Sequence, residues 1–391
     1  MATFLLSWEL GGGLGHLVPL RAMANELRQR GHKVALAVSD LPAANRILGD
    51  FPLLPAPVQV PTSGKVIREP STFADILANA GCADPNVLGG LVHAWRSIFD
   101  YVEPDVVAMD FSPLALVATQ GSSARRVLLS SGHTCPPDVT PLPDLCPWRE
   151  NYPERLAMNE ARVLEHLNAQ LSRQGEAPLD RVGQLYQRVD RCLHLTFREL
   201  DHYQDRGEAK YWGILPEMPG KAAEWPDGNR PRVFAYLKPM PGVAVVFAEL
   251  ARRGLSTVAY VPPTDARAEP QSRASMHISA EPLDMTQVAV QCDLAVLNCG
   301  LHATARMLLA GKPILALPIS GEQRLVADNA ERLGAAVSVA DEPEEISDGL
   351  DRMLASDQFA VAAQAFAARY ADFDSQAALH AVVDCLEAVA G

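Results

Sequence analysis

Short apolar runs alternate with amphipathic stretches along most of this chain. The first run covers residues 4–8, and apolar residues then recur at helical spacing between Leu17 and Leu27. Gly31 ends that stretch, and residues 34–38 form a second apolar run of strand length. A strand, a helix and a strand in this order predict a β–α–β unit with parallel strands and a right-handed crossover.

The same alternation occurs in two halves, and 391 residues are too many for one hydrophobic core. A stretch rich in Asp, Pro and Gly at residues 201–230 separates the halves, so the boundary is predicted near residue 215. We therefore predict an α/β protein with two Rossmann-like domains at 1–214 and 215–372, and a terminal helix at 373–391. The predicted strands are residues 4–8, 34–38, 104–110, 126–130, 191–197, 232–237, 256–261, 275–279, 293–297 and 314–317.

A glycine cluster joins the first predicted strand to the first helix, in the sequence Gly-Gly-Gly-Leu-Gly-His at residues 11–16. Glycines allow the backbone to approach a ligand, and a helix N-terminus offers unpaired N–H groups to anions. His16 at the mouth of this turn has the chemistry of a base. A plain tight turn with a solvated histidine explains the stretch equally well. Because His16 occupies the place of the third glycine of G-x-G-x-x-G, we do not predict NAD binding.

A predicted strand ends in Asp110, which lies at the same sheet edge as the glycine turn because carboxyl ends of parallel strands share one edge. In open α/β sheets this edge binds ligands. Asp110 is therefore a candidate partner for the turn. The alternative is that Asp110 only caps the following helix, as aspartates often do.

Composition narrows the classes of function. The net charge of −13 argues against nucleic-acid binding and against electrostatic attachment to anionic lipid. There is no basic leader and no run of about 18 apolar residues, so we expect a cytoplasmic protein without a membrane span. The cysteines lack a C-x-x-C pair, which favours free thiols over a zinc site. They are Cys82, Cys135, Cys146, Cys192, Cys292, Cys299 and Cys385.

Two groups of motifs resemble one enzyme family over nearly the whole chain. Residues 15–20 (GHLVPL) and 30–34 (RGHKV) are similar to a G-H-x-x-P … R-G-H-x-V signature. Residues 298–300 (NCG), 311–313 (GKP), Pro318 and 322–323 (EQ) are similar to an H-x-G … G-V-P … P … D-Q donor motif. The family is the nucleotide-sugar-dependent glycosyltransferases of the GT-B fold, in particular the UDP-glycosyltransferases and the antibiotic (macrolide, glycopeptide) glycosyltransferases.

The resemblance implies an activity and a set of site residues. It implies inverting, metal-independent transfer of a sugar from a UDP- or dTDP-sugar to a hydroxyl of a small acceptor, in a cleft between the domains. His16 would be the catalytic base and Asp110 would orient it. No cofactor is implied besides the donor substrate, and a homodimer is left open. The donor-binding residues would be Gly12, Gly13, Gly15, Lys238, Asn298, Gly300, His302, Ala303, Thr304, Arg306, Glu322 and Gln323.

The chain departs from the family pattern on the donor side. Asn298 stands in place of a histidine, Ala303 in place of Ser or Thr, and Arg306 in place of a ribose-binding glutamate. Lys238 and Pro239 replace a Gly-Ser pair. One interpretation is that Lys238, His302 and Arg306 bring positive charge to the diphosphate. The alternative is that His302 and Arg306 face solvent on their helix.

Two other functions stay open, the first of them because of these departures. The chain could be a non-catalytic GT-B relative that binds or activates another transferase, or a sugar-nucleotide epimerase. The acceptor region has no interpretable pattern in the sequence. Trp95, Phe111, Trp148 and Tyr152 are candidates for acceptor contact, although each fits a core or surface position better.

Overall fold

The computed structural model describes residues 1–59, 66–262 and 274–391, which divide into two compact units. Unit 1 comprises Met1–Thr196, Tyr203–Pro216 and Asp374–Gly391. Unit 2 comprises Phe197–His202 and Glu217–Phe373. The predicted boundary after residue 214 lies close to the end of Tyr203–Pro216. The short segment Phe197–His202 belongs to unit 2, which the sequence pattern did not indicate.

Unit 1 is built on a six-stranded sheet in the order β3-β2-β1-β4-β5-β6, and every neighbouring pair is parallel. Its strands are β1 Thr3–Trp8, β2 Lys33–Val38, β3 Leu53–Pro55, β4 Val106–Asp110, β5 Arg125–Ser130 and β6 Arg191–His194. Its helices are α1 Leu14–Gln29, α2 Leu41–Leu48, α3 Phe73–Leu77, α4 Pro85–Val102, α5 Pro113–Thr119 and α6 Pro153–Arg173. The strand order reverses direction between β1 and β4, which is the usual place for a ligand in such sheets.

The apolar periodicity of α1 explains its place in unit 1. Leu17, Leu20, Met23 and Leu27 are fully buried, and they recur at the three- and four-residue spacing of one helix face. The strands β1, β2 and β4 are buried for most of their length, as parallel strands covered on both faces should be.

The terminal helix, α13 Ser375–Ala390, belongs to unit 1, buries an apolar face and forms ion pairs with the region around Arg30. Arg30 donates to Asp384 at 2.5 Å and to Glu387 at 2.7 Å, and Nε2 of His32 lies 2.7 Å from a Glu387 oxygen. The Asp374 carboxylate caps the first turn by accepting from the Ala377 N–H at 2.6 Å.

Unit 2 repeats the architecture with a second six-stranded parallel sheet, in the order β12-β11-β10-β7-β8-β9. Its strands are β7 Asn229–Tyr236, β8 Leu255–Tyr260, β9 Met276–Ser279, β10 Leu294–Leu297, β11 Ile314–Ala316 and β12 Ala336–Ser338. Its helices are α7 Gly242–Arg252, α8 Met285–Gln291, α9 Leu301–Leu309, α10 Gly321–Arg332, α11 Pro343–Ala355 and α12 Gln358–Arg369. Here the strand order reverses between β7 and β10.

The two parallel α/β sheets confirm the predicted fold class. The predicted strand at 191–197 is too long, because β6 ends at His194 and not at residue 197. The end of β6 and the residues after it also pair with a second segment. The carbonyls of His194 and Thr196 accept from the N–H groups of Trp212 and Gly213, which lie on a later segment of the chain.

Candidate active site

The candidate base and its partner lie on neighbouring strands of unit 1. Trp8, the last residue of β1, is the register partner of Asp110, the last residue of β4. Both strands continue into short loops and then helices, so the first turn of α1, with His16, starts from the same sheet edge as Asp110. This is the point at which the strand order reverses, as the sequence led us to expect for Asp110.

The structure brings His16 and Asp110 into hydrogen-bond contact. Nδ1 of His16 lies 2.8 Å from Oδ2 of Asp110, with side-chain exposures of 19% and 13%. The indole of Trp8 stacks on the imidazole, with ring centroids 5.2 Å apart and planes within 18°. A carboxylate on one ring nitrogen fixes the imidazole orientation and suits the other nitrogen, Nε2, to accept a proton.

Gly11 leaves space for the imidazole of His16 because it has no side chain. Its φ of +85° is in the left-handed region, and a Cβ at this position would lie 2.7 Å from Nε2 of His16. No other residue type satisfies both conditions without strain. Gly12, Gly13 and Gly15 differ, since no described atom lies within 4 Å of their Cβ positions. The backbone around these three glycines is therefore open to a ligand.

Phe111 follows Asp110 in a strained conformation. Its φ is 44°, which is unusual for a bulky residue, and its ring centroid lies 6.3 Å from that of His16. Of the other aromatic candidates for acceptor contact, Trp95 is fully buried in the core, Trp148 is 37% exposed and Tyr152 is 62% exposed. Phe111 is thus the candidate that the structure places beside the histidine.

Glu9 is a buried acid next to this pair that the sequence reasoning missed. It is 3% exposed, and its two carboxyl oxygens accept from the backbone N–H groups of Leu114 and Ala115 at 3.0 and 2.6 Å. Burial raises its pKa to about 8, against the opposing effect of those backbone hydrogen bonds. The one signal in the sequence was a charged residue that directly continues an apolar strand.

In unit 2 the donor-motif residues follow adjacent strands. Lys238 comes after β7, Asn298 after β10, and Glu322 with Gln323 after β11, at the start of α10. All of these segments therefore emerge from the carboxyl edge of the sheet, near the point where the strand order reverses.

Asn298 connects these segments to one another. It is buried, its Oδ1 accepts from the Lys238 backbone N–H at 2.6 Å, and its Nδ2 donates to the Leu317 carbonyl at 2.7 Å. Nδ2 also lies 3.2 Å from the sulfur of Met240. The next residue, Cys299, has a φ of 59°, so the loop turns sharply into α9. The amide of Asn298 thus makes its hydrogen bonds within unit 2.

The first turns of α9 and α10 present their backbone differently. Gly300 begins α9 without a side-chain cap from the described residues, with His302 and Ala303 half-buried and Thr304 fully buried. An uncapped first turn keeps N–H groups available to an anion.

In α10, Ser320 caps the Gln323 N–H at 3.3 Å, and the Gln323 side-chain oxygen accepts from the Ile319 N–H at 3.0 Å. Glu322 is half-buried beside them. The hydrogen bonds of Gln323 hold the entry into the helix in place.

Arg306 forms an ion pair that the sequence did not indicate. Its Nε lies 3.3 Å from an oxygen of Glu217, and each side chain is 15% exposed. Burial raises the pKa of Glu217, while the guanidinium of Arg306 acts in the opposite direction. The guanidinium of Arg306 thus contacts Glu217 within unit 2. Lys238, in contrast, is exposed.

The described residues contain neither a candidate metal cluster nor a candidate membrane helix. Among them, no group of three or more His, Cys, Asp or Glu side chains has the arrangement to hold a metal ion. Across residues 1–59, 66–262 and 274–391, no helix has the length and apolarity needed to cross a membrane.

Comparison with known proteins identifies the class of fold. No protein-family model matches the chain, and no curated protein sequence matches it. Solved structures do match over almost the entire chain, and they include antibiotic glycosyltransferases with sequence identity of 18% or less. At this identity the likeness establishes the fold. The predicted GT-B fold is confirmed.

Three matches illustrate the similarity. The calicheamicin glycosyltransferase CalG4 has a TM-score of 0.72 and 14% identity, over 99% of this chain and 98% of that one. The glycotransferase of kitacinnamycin has a TM-score of 0.71 and 18% identity, over 99% and 98%. The spinosyn rhamnosyltransferase SpnG, in complex with thymidine diphosphate, has a TM-score of 0.70 and 16% identity, over 99% and 100%.

Proposed function

We propose that this protein is an inverting glycosyltransferase that moves a sugar from a UDP- or dTDP-sugar to a hydroxyl of a small acceptor in the cytoplasm. The observation that carries the proposal is the 2.8 Å contact between His16 and Asp110, at the reversal point of a sheet with this fold. Similar structures hold thymidine diphosphate, or a spinosyn aglycone in the case of SpnG, which supports this choice of donor and acceptor.

On the acceptor side, His16 acts as the base. Its Nδ1–H donates to Asp110, and its Nε2 takes the proton of the acceptor hydroxyl as that oxygen attacks the anomeric carbon of the donor sugar. The bond from this carbon to the phosphate oxygen breaks, and the nucleoside diphosphate leaves. Asp110 stabilises the imidazolium that forms. A single displacement of this kind inverts the anomeric centre.

On the donor side, backbone N–H groups of unit 2 bind the diphosphate. The first turn of α9, which starts after Gly300 and which no described side chain caps, supplies these donors and the positive end of the helix dipole. The exposed Lys238 adds positive charge, and the first-turn His302 offers a ring N–H donor. Glu322 bonds sugar hydroxyls together with Nε2 of the Gln323 amide, while Oε1 of Gln323 stays on the Ile319 N–H. We assign Asn298 a structural role, in which it holds the surrounding loops together. Its amide accepts from the Lys238 N–H and donates to the Leu317 carbonyl. In this mechanism no metal is required.

Transfer from a panel of sugar nucleotides to hydroxylated small molecules tests the proposal. We expect a glycoside whose anomeric configuration is opposite to that of the donor, as read from the proton coupling of the product. Retention of configuration would contradict the single displacement. Isomerised donor formed without acceptor would indicate an epimerase.

One observation favours a second candidate, a non-catalytic relative that binds or activates another transferase. Two departures from the donor motif make contacts within the protein: Asn298 bonds Lys238 and Leu317, and Arg306 pairs with Glu217. Titration calorimetry with UDP and dTDP separates the two functions. Saturable binding of either nucleotide supports the enzyme, whereas the partner protein needs neither.

A further inference from the structure

Glu9 occupies a position from which it controls the loop that follows the candidate active-site aspartate. It comes directly after Trp8, the register partner of Asp110, so β1 and β4 are still side by side where Glu9 begins. Its carboxyl oxygens accept from the N–H groups of Leu114 and Ala115, in the first turn of α5. The Glu9 side chain therefore links the loop after β1 to α5, the helix that begins where the loop after β4 ends.

The loop held in this way is strained. Phe111 has a φ of 44°, and Ser112 Oγ donates back to the Asp110 carbonyl at 3.1 Å. The Leu10 N–H donates to the Phe111 carbonyl at 3.1 Å. A residue in a sparsely populated conformation persists only where its surroundings over-determine it. Glu9 and Leu10 supply that restraint from the β1 side.

Removing the Glu9 carboxyl is unfavourable because the N–H groups that it binds are buried. Leu114 and Ala115 are essentially inaccessible to solvent, so water cannot replace the hydrogen bonds to their N–H groups. Without Glu9 the start of α5 must move to find other acceptors, and the segment from Asp110 to Ser112 must move with it. Shifts well under 1 Å at the aspartate would lengthen its 2.8 Å contact with His16.

We propose that Glu9 is a positioning residue, whose carboxyl fixes the loop after Asp110 and thereby the orientation of His16. The inference rests on the proposed function, because it gives the His16–Asp110 pair the role of base and orienting group. In this role Glu9 touches neither the donor nor the acceptor.

The matched control is a second buried glutamate of unit 1 that binds backbone away from this pair. Glu160 is 6% exposed, and it accepts from the Thr140 hydroxyl at 2.6 Å and from the Leu142 N–H at 2.8 Å. Glu160→Gln therefore removes the same kind of group at a similar degree of burial. A general loss of stability affects both variants, whereas a positional effect on His16 appears only with Glu9→Gln.

Nitrogen-15 NMR of histidine-labelled protein measures the pair directly, independently of any transfer assay. His16→Ala identifies the His16 signals among those of the ten histidines. We expect Glu9→Gln to shift the Nδ1 and Nε2 resonances of His16 and to speed exchange of its Nδ1 proton, with Glu160→Gln unchanged from wild type. His16 resonances that are identical in folded Glu9→Gln and wild type would overturn the proposal.

Transfer kinetics provide the second readout. We expect kcat of Glu9→Gln to fall roughly 10- to 100-fold, where the upper value is that of an active-site misplacement of about 1 Å, with KM for the donor within about twofold. An unchanged kcat overturns the role of Glu9 and leaves the proposed function standing. If wild type transfers no sugar, the proposed function fails, while the NMR result still decides the role of Glu9.

A second variant covers the case in which Glu9→Gln does not fold. Glu9→Asp keeps the carboxyl but shortens the side chain by one methylene, so it cannot reach both N–H groups in their present places. We expect the same direction of change in the His16 resonances and in kcat. Wild-type values for both in folded Glu9→Asp would contradict the proposal.

Discussion

His16 owes its position to three neighbours that differ in chemistry. Asp110 holds one ring nitrogen, Trp8 stacks on the ring face, and Gly11 leaves space at Nε2. The sequence indicated the pairing with Asp110, because both residues end up at one sheet edge. It could not indicate the stacking or the contact with Gly11, since these depend on the side-chain orientation of His16 in the folded turn.

Gly11→Ala should lower kcat by at least about tenfold, because the new Cβ would displace the imidazole from Asp110. Gly31→Ala is the control. Its φ is also +85°, but no described atom lies within 4 Å of its Cβ position. Steady-state kinetics and thermal denaturation of both variants separate backbone strain from the contact with His16. Equal activity losses in the two would show that strain alone is responsible.

Glu9 should make stability depend on pH. The unfolded chain ionises Glu9 near pH 4.5, whereas the folded protein does so near pH 8. Between these values unfolding releases a proton, so the free energy of unfolding falls as pH rises and levels off above about 8. The loss should reach a few kcal/mol, at about 1.4 kcal/mol for each pH unit of separation. Urea denaturation at pH 5 and pH 8 measures it.

Glu9→Gln should remove this component. The difference in unfolding free energy between wild type and variant should shrink from pH 5 to pH 8. A difference that stays constant over that range would show that Glu9 ionises normally in the folded protein.

At the scale of elements, the loops that follow β7, β10 and β11 depend on one another through Asn298. Its amide links the Lys238 N–H to the Leu317 carbonyl, so the donor-motif segments form one hydrogen-bonded unit. The sequence placed Asn298 in a ligand-contacting position by resemblance. The internal hydrogen bonds join residues 60 and 19 positions away, which local spacing cannot reveal.

Asn298→Ala should therefore reduce stability and nucleotide affinity together. Loss of buried hydrogen bonds costs about 1–3 kcal/mol, and the loops that surround α9 lose their mutual support. Lys238→Ala should reduce UDP or dTDP affinity alone, because the Lys238 side chain is exposed. Thermal denaturation and titration calorimetry make the comparison. Normal stability of Asn298→Ala would contradict this role.

At the scale of the molecule, the repeated alternation of strands and helices was sufficient to predict two parallel α/β sheets. It missed the three-residue edge strands β3 and β12; β3 also contains Pro55, and proline is tolerated only at such edges. It also missed Glu217 as the partner of Arg306, 89 residues apart, and the passage of Phe197–His202 into unit 2. Each miss involves contacts between distant segments, which periodicity does not encode.

Because we assign the donor site to unit 2, we expect a bound nucleotide to protect backbone amides of that unit from hydrogen exchange. Excess dTDP or UDP should slow amide hydrogen exchange most strongly at residues 298–306 and 318–324. The start of α5 should change far less, since its N–H groups are already bonded to Glu9. Exchange measured by mass spectrometry tests this. Strongest protection outside unit 2 would contradict the assignment.

In the proposed mechanism His16, oriented by Asp110, removes the acceptor proton. The transfer rates of His16→Ala and Asp110→Asn at saturating donor and acceptor test this role of His16. Nucleotide affinity is measured on the same samples. We predict that His16→Ala abolishes transfer, that Asp110→Asn lowers it by at least about 100-fold, and that both bind nucleotide like wild type. Full activity of His16→Ala would contradict the account.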